Sequence, residues 1–324
     1  MPPKKYYAIG VDLGGTKISA GIVSSSGKVI LREKIPTMVA LGGKTVLNRL
    51  ALAISLLFKK APPAVRKEIR GIGIGIPGMV EHEKGIVHEP PNIPALNGVN
   101  VKKFIQRRFK KPAFIANDAN AHALGEHTFG AGKGTQNMVC ITLGTGLGGG
   151  IILNGKLYTG SFENAGELGH IVIRKEGIPC NCGNTGCVEA YVGANFIAER
   201  ARKAIKAGTK SSVVKLVNGD LSKITPHLLA KAARQGDRYA RQLWAEVGEE
   251  IGTAIVSIAN ILGPEKVIVS GGVSRAGDIL FKPMIKEFKK RSFKYLRTRI
   301  KIVPGKLLDD AGILGSSSLV FKQS

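Results

Sequence analysis

Cysteine and tryptophan are scarce: the 324 residues hold four Cys and one Trp, and aromatic residues make up only 6% of the chain. So few thiols exclude a disulfide-stapled scaffold, and three of the four crowd together at Cys180, Cys182 and Cys187. No stretch approaches the ~18 uninterrupted apolar residues of a membrane-spanning helix, so no membrane partner is expected. The N-terminal MPPKKYYAIGVDLGGTK lacks an apolar core and a small-residue cleavage site, which predicts an untargeted, cytoplasmic protein. Negative charge is also in short supply. Lys plus Arg number 48 against 23 Asp plus Glu, a formal net charge of +25. Such an excess fits nucleic acid, an anionic membrane face or anionic small-molecule substrates. The basic residues are scattered in doublets such as Lys59-Lys60, Lys102-Lys103, Arg107-Arg108 and Lys110-Lys111, with one triplet at Lys289-Lys290-Arg291. That dispersal reads as solvated helix faces, and no specific nucleic-acid partner is expected.

The rest of the composition is that of a folded chain. Hydrophobic residues make up 44%, charged residues 22%, and mean hydropathy is +0.06, which excludes global disorder. The length suits two domains. Residues 7–11, 17–23 and 28–35 predict a three-strand meander. Helical spacing of Val46, Leu47, Leu50, Ile54 and Leu57 predicts a helix over 43–58, ended by Pro62-Pro63. A buried strand at 71–76 leads into an irregular stretch over 77–98, and a loop of that length is usually functional. A basic helix at 101–109 and a strand at 113–116 close the first cycle. From Met138 the pattern repeats: ITLGTGLGGGIIL (141–153) echoes VDLGGTKISAGIV (11–23), each a strand, a glycine turn and a second strand. A long helix at 239–262 then feeds the strand 266–270 and the pair Gly271-Gly272. The tail from 306 to 321 is rich in Gly and Ser, which predicts close packing against another element.

Three constellations carry chemistry. The turn Asp12-Leu13-Gly14-Gly15-Thr16-Lys17 offers backbone N–H groups, a hydroxyl and an ammonium to an anion, although a hairpin with a glycine bulge would look the same. It joins two strands and is therefore neither a P-loop nor a dinucleotide fingerprint. Its echo at Thr142, Gly144, Thr145 and Gly146, with Gly271-Gly272 after a third strand, is what a split nucleotide site requires. Asn117-Asp118 follows the strand 113–116, where a carboxylate can take a proton from a hydroxyl or can simply cap the next helix. The third is His170 with Cys180, Cys182 and Cys187, a Cys3His set suited to structural zinc. Glu167 and Glu189 flank it, either as surface carboxylates or as partners for sugar hydroxyls.

In this order DLGGTK, the Pro-containing loop, NDAN, LGTGLGGG and ELGH with CNCGNTGCVE resemble the ROK group of sugar kinases within the actin-like ATPase superfamily. The resemblance covers nearly the whole chain, from Tyr7 to about Leu319, and the thiol motif is its most specific part. It implies an α/β, two-domain actin-like ATPase (ribonuclease H-like) fold with a cleft between domains. A small N-terminal domain over 1–118 would be completed by a helix at 306–324, and a larger domain over 119–305 would carry the zinc loop. It implies that Asp12, Gly14, Gly15, Thr16, Lys17, Thr142, Gly144, Thr145 and Gly146 hold the phosphates of ATP and Mg2+, with Gly271-Gly272 under adenosine. It further implies Asp118 as general base, and Gly78, Asn117, Glu167, His170 and Glu189 around a hexose. His170 would then serve both zinc and sugar, in a homodimer or homotetramer. Six residues precede the first strand, so an N-terminal DNA-reading domain of the kind carried by regulators in this group is not expected.

Overall fold

The structure is a computed structural model that describes residues 6–322. Two five-stranded sheets of the same strand order organise it. The first runs β3-β2-β1-β4-β7, built from β1 (Tyr7–Leu13), β2 (Lys17–Ser24), β3 (Val29–Pro36), β4 (Ile69–Ile76) and β7 (Ala113–Asn117). β1, β2 and β3 form the expected antiparallel meander, while β4 and β7 run parallel to β1. A small hairpin, β5 (Met79–Glu81) with β6 (Ile86–His88), stands apart. The second sheet runs β10-β9-β8-β11-β12, from β8 (Met138–Leu143), β9 (Leu147–Leu153), β10 (Lys156–Tyr158), β11 (Lys266–Ser270) and β12 (Lys301–Pro304). Here β11 is parallel to both β8 and β12. The echo read from the glycine turns is thus an echo of whole sheets.

The helices follow the same two cycles. The first holds α1 (Gly43–Lys60), α2 (Pro63–Lys67), α3 (Val101–Phe109) and α4 (Asp118–Phe129). The second holds α5 (Glu189–Val192), α6 (Ala194–Lys206), α7 (Val213–Leu216), α8 (Pro226–Arg234), α9 (Arg238–Leu262), α10 (Asp278–Arg291) and α11 (Lys294–Arg297), and α12 (Ala311–Phe321) ends the chain. No described helix is long and apolar enough to cross a membrane. The irregular stretch over 77–98 contains the β5–β6 hairpin and a single 3₁₀ turn at Pro94–Leu96. Strands of three residues leave too little alternation to be read from sequence.

By compactness the chain separates into two units. One takes the residues up to Gln136, Gly150–Gly166 and those from Lys306 onward; the other takes Asn137–Gly149 and Glu167–Gly305. The first unit therefore includes α4, beyond the boundary expected after Asp118. The reason is packing: α12 lies on α4 so closely that a Cβ on Gly125 would stand 2.7 Å from the Gly315 Cα. Glu126, fully buried on α4, adds a polar clamp, its carboxylate accepting from the N–H groups of Ala131 (2.8 Å), Lys306 (2.9 Å) and Leu307 (3.0 Å).

The small residues of the tail are explained by the same helix. α12 sits directly on β1 and β4: a Cβ on Gly10 would lie 2.0 Å from the Ile313 carbonyl oxygen, and one on Gly73 would lie 1.8 Å from that of Ser316. Ser316, Ser317 and Ser318 are fully buried with their hydroxyls satisfied. The Ser316 Oγ donates to the Val11 carbonyl (2.7 Å) and accepts from the Gly75 N–H (3.0 Å), joining the two strands beside Asp12. Backbone stands on the other side of Gly73, so no rotamer change makes room. Gly73→Ala should destabilise the protein by about 3 kcal/mol or more in denaturant unfolding, and an unchanged midpoint would contradict this packing.

Candidate functional site

In the first unit the C-terminal ends of the parallel strands β1, β4 and β7 deliver three segments to one edge. Register puts Asp12 beside Gly75 and Ile76 beside Asn117, so the Asp12 turn, Gly78 and Asp118 follow these ends side by side. This edge is where open α/β sheets bind ligands. The β1–β2 turn is closed by the Gly14 N–H donating to the Lys17 carbonyl (3.0 Å), and Thr37 Oγ1 donates to the Gly14 carbonyl (2.6 Å). Gly15 must be glycine, since a Cβ there would meet the Asn92 Cβ at 2.9 Å and its carbonyl at 3.0 Å. Thr16 and Lys17 stand exposed at the tip. Gly78, at φ +99°, passes against Pro90, and its carbonyl accepts from Asn117 Nδ2 (2.9 Å).

The alternative reading of Asp118 as a helix cap is resolved one residue earlier. Asn117 is the N-cap of α4, with Oδ1 accepting from the N–H groups of Ala119 (2.9 Å) and Asn120 (3.2 Å). Its side chain is therefore largely committed to the fold, and one N–H of the amide remains for a ligand. Asp118 is the first helical residue. One carboxylate oxygen accepts from the Ala119 N–H (2.8 Å), and the side chain is open to solvent. Protein nevertheless crowds it on its other sides. Desolvation pushes its carboxyl above the usual range, against the pull of the N–H groups of Ala119 and of Asp118 itself, so it is a stronger base than a free aspartate.

Asp12 shares this environment. It is half-buried, and desolvation, then the neighbouring Asp118 charge, push its pKa up to about 6, with Lys17 acting in the opposite sense. A crowded carboxylate beside a second one, next to a turn of N–H groups, fits a divalent cation carrying phosphates. The raised pKa also predicts a stability effect. An unfolded aspartate titrates near 3.8, so between that value and about 6 the folded chain binds more protons than the unfolded one. The group's favourable contribution is complete below the lower value and is lost as pH rises through the upper one. Asp12→Asn should thus stabilise the ligand-free protein against unfolding at pH 8, by at most about 3 kcal/mol less screening, and leave its stability unchanged at pH 4. Equal gains at both pH values would contradict the assigned cause.

The second unit repeats the arrangement at the C-terminal ends of β8 and β11. The Gly144 N–H donates to the Gly146 carbonyl (2.9 Å), and Gly144 and Thr145 are exposed. Gly271, at φ +92°, crosses the end of β8 so closely that a Cβ would lie 2.3 Å from the Leu143 carbonyl oxygen. Gly272 has open space around it. Thr142 pairs with Ser270 in the ladder, so the two turns are neighbours.

The Cys3His set also lies in this unit. Residues 178–187 fold back as a tight loop, with the Cys180 N–H donating to the Asn184 carbonyl (2.8 Å) and Gly186 at φ +74° pressed on the Arg174 carbonyl. The ligand atoms of His170, Cys180, Cys182 and Cys187 all lie within 4.8 Å of one another. Cys182 Sγ is 3.8 Å from Cys187 Sγ, and Cys180 Sγ is 3.7 Å from His170 Nδ1. A tetrahedron with Zn–S bonds of ~2.3 Å has edges of about 3.8 Å, so the four atoms fit a closed zinc site. With Nδ1 turned to the sulfurs, His170 Nε2 faces outward, 3.9 Å from Glu167 Oε2. Glu189 bridges loop and turn. Its Oε2 accepts from the Leu147 N–H (2.8 Å) and fills the space where a Gly146 side chain would be, while Oε1 lies 4.0 Å from Cys180 Sγ. Ser316, Thr37 and Asn92 also shape the site from behind. Only the run of three serines in the tail gave a signal in the sequence.

Comparison with known proteins identifies the family of the chain. Residues 8–323 match the model of the ROK family. A glucokinase of Thermotoga maritima is 39% identical over 98% of this chain and 98% of its own length. The crystal structure of a ROK family glucokinase from Streptomyces griseus, in complex with glucose and AMPPNP, superposes with a TM-score of 0.85 at 32% identity, covering 98% of this chain and 99% of that one. A xylose repressor of Caldicellulosiruptor bescii is 35% identical over 96% of this chain, which spans 77% of the repressor. The chain belongs to the ROK family, with the α/β, actin-like ATPase fold expected from its motifs.

Proposed function

We propose that the protein is a glucokinase, transferring the γ-phosphoryl group of ATP to the 6-hydroxyl of glucose. The observation that carries this reading is Asp118: spared the capping role by Asn117, open to solvent and made more basic by its surroundings. The similarity to glucokinases at 39% and 32% identity supports the substrate pair. In such a reaction the protein mostly positions groups and stabilises charge. The Gly14–Gly15 and Gly144–Gly146 turns offer N–H donors to phosphate oxygens, with Thr16, Lys17, Thr142 and Thr145 beside them. Gly271-Gly272 leaves a bare backbone floor on which a flat base can lie. Asp12 would hold Mg2+, which when bound neutralises charge on the transferred phosphate.

On the acceptor side, Asp118 receives the proton of the sugar hydroxyl as the new P–O bond forms. Glu167 and His170 Nε2 in one unit, and Asn117 and the Gly78 segment in the other, are the groups proposed to bind sugar hydroxyls. Glu189 acts chiefly by holding the zinc loop against the Gly146 turn. A structural zinc on His170 Nδ1 and the three thiolates would fix the imidazole so that Nε2 carries the hydrogen it donates.

A second reading, a sugar-responsive regulator, draws support from the similarity to a xylose repressor. Turnover distinguishes them. Initial rates with glucose, N-acetylmannosamine, N-acetylglucosamine and fructose, each with ATP, ADP or polyphosphate, should give the highest kcat/KM for glucose with ATP. A higher value for another sugar would reassign the substrate. Sugar binding without turnover of any pair would favour the regulator.

A further inference from the structure

Part of the positive charge lies on residues not assigned to the reaction. From Lys286 to Lys301 the chain leaves α10, passes through α11 and enters β12, carrying eight Lys or Arg and the single carboxylate Glu287. Glu287 is already paired with Lys290 and Arg291. Lys286, Lys289, Lys294 and Lys301 are exposed, with no carboxylate within ion-pair distance among the described residues. Two aromatic side chains stand among these cations. Phe293 is 70% exposed and Tyr295 is 65% exposed. The Arg299 guanidinium lies 3.7 Å from the centre of the Tyr295 ring, and its Nη1 donates to the Tyr295 carbonyl (3.3 Å).

Two exposed rings amid uncompensated lysines call for a partner that is both flat and anionic. We propose that this surface binds single-stranded nucleic acid without regard to sequence. Unpaired bases stack on Phe293 and on the Tyr295–Arg299 pair, while the lysines face the phosphates. Other occupants fit less well. In a two-fold contact with a second copy the same unpaired lysines would meet one another. A bilayer would gain little from two side chains, because the apolar face of α10 (Leu280, Phe281, Met284, Phe288) is already buried in the core. Duplex DNA hides the faces of its bases and would leave the rings without a role.

The test is fluorescence anisotropy of a labelled oligothymidylate of ~20 nucleotides with the full chain, at several salt concentrations, beside glucose turnover. Binding should be on the order of micromolar at ~50 mM salt, with a log–log salt slope of about −3 for four or five phosphate contacts. Phe293→Ala with Tyr295→Ala should weaken it ~10-fold or more. Lys289→Glu with Lys294→Glu should weaken it similarly and flatten the slope. Both variants should keep glucose turnover, which shows that they fold and separates this outcome from the fate of the kinase reading. Lys103→Glu with Arg107→Glu on α3 should change binding by less than ~2-fold. Absence of binding at ~100 μM protein would overturn the proposal, as would a wild-type affinity in the aromatic variant or an equal loss in the α3 variant. Tighter binding to phosphatidylserine vesicles, lost in the same variants, would reassign the surface to membranes.

Discussion

Asp118→Asn is expected to fold and bind glucose like the parent chain while kcat falls by ~10²-fold or more, the usual scale for loss of a general base. The substitution keeps size and shape. Its amide can orient to accept the same Ala119 N–H through oxygen, so α4 begins as before. Asn117 and not Asp118 caps that helix, which is why stability should be nearly untouched. What disappears is the carboxylate proposed to take the proton, so the loss belongs in kcat with KM for glucose close to the parent value. The complementary change gives the opposite pattern. Asn117→Ala removes the cap and should cost ~0.5–2 kcal/mol of stability. Near-normal turnover of Asp118→Asn would return that carboxylate to a local structural role.

The second large effect concerns the metal. Elemental analysis of the parent protein should find about one zinc per chain, and Cys182→Ser should lose both that zinc and activity. Cys182 is the informative ligand because it is exposed, whereas Cys187 is fully buried. Changing Cys182 leaves no cavity, so a defect reports the metal and not the packing. Three remaining ligands do not close a structural site. His170 would then be free to turn, and the sugar would lose a donor held in place from behind. Supporting groups of this kind typically cost 10–100-fold when removed. Zinc release from the parent, followed with a chelating dye during thermal unfolding, gives a readout independent of catalysis. A metal-free chain with full activity would refute the assignment.

Much of this site was legible because its parts are local in sequence. The glycine turns follow apolar strands directly, and the four residues suited to zinc lie within eighteen residues, His170 to Cys187. Both therefore survive without knowledge of long-range contacts. The repeat was visible for the same reason, as two strand–turn–strand units that open sheets of one strand order. The identity of the cap on α4 was not legible, since Asn117 and Asp118 are both strong capping residues and only backbone geometry decides between them. Asn117 has the extended backbone, at φ −55° and ψ 143°.

Other features were hidden by distance or by mixed signals. Ser316 reaches β1 and β4 across some 300 and 240 positions, a relation no local pattern contains. The helix α10 contains Pro283, which argues against a helix when read locally. Its place is set by packing on α9, where Gly248 admits the proline ring. The strand β12 is exposed at both ends and offers no apolar run. The raised pKa of Asp12 likewise depends on α12, whose Gly312 lies against its side chain.

The most direct test of the central claim is the chemical identity of the products. Purified protein incubated with glucose, ATP and Mg2+ should yield glucose 6-phosphate and ADP in equal amounts, read by phosphorus NMR, with no release of inorganic phosphate beyond a trace. Phosphate on a different hydroxyl, ATP hydrolysis that ignores the sugar, or no product at all from protein that binds glucose would contradict the account.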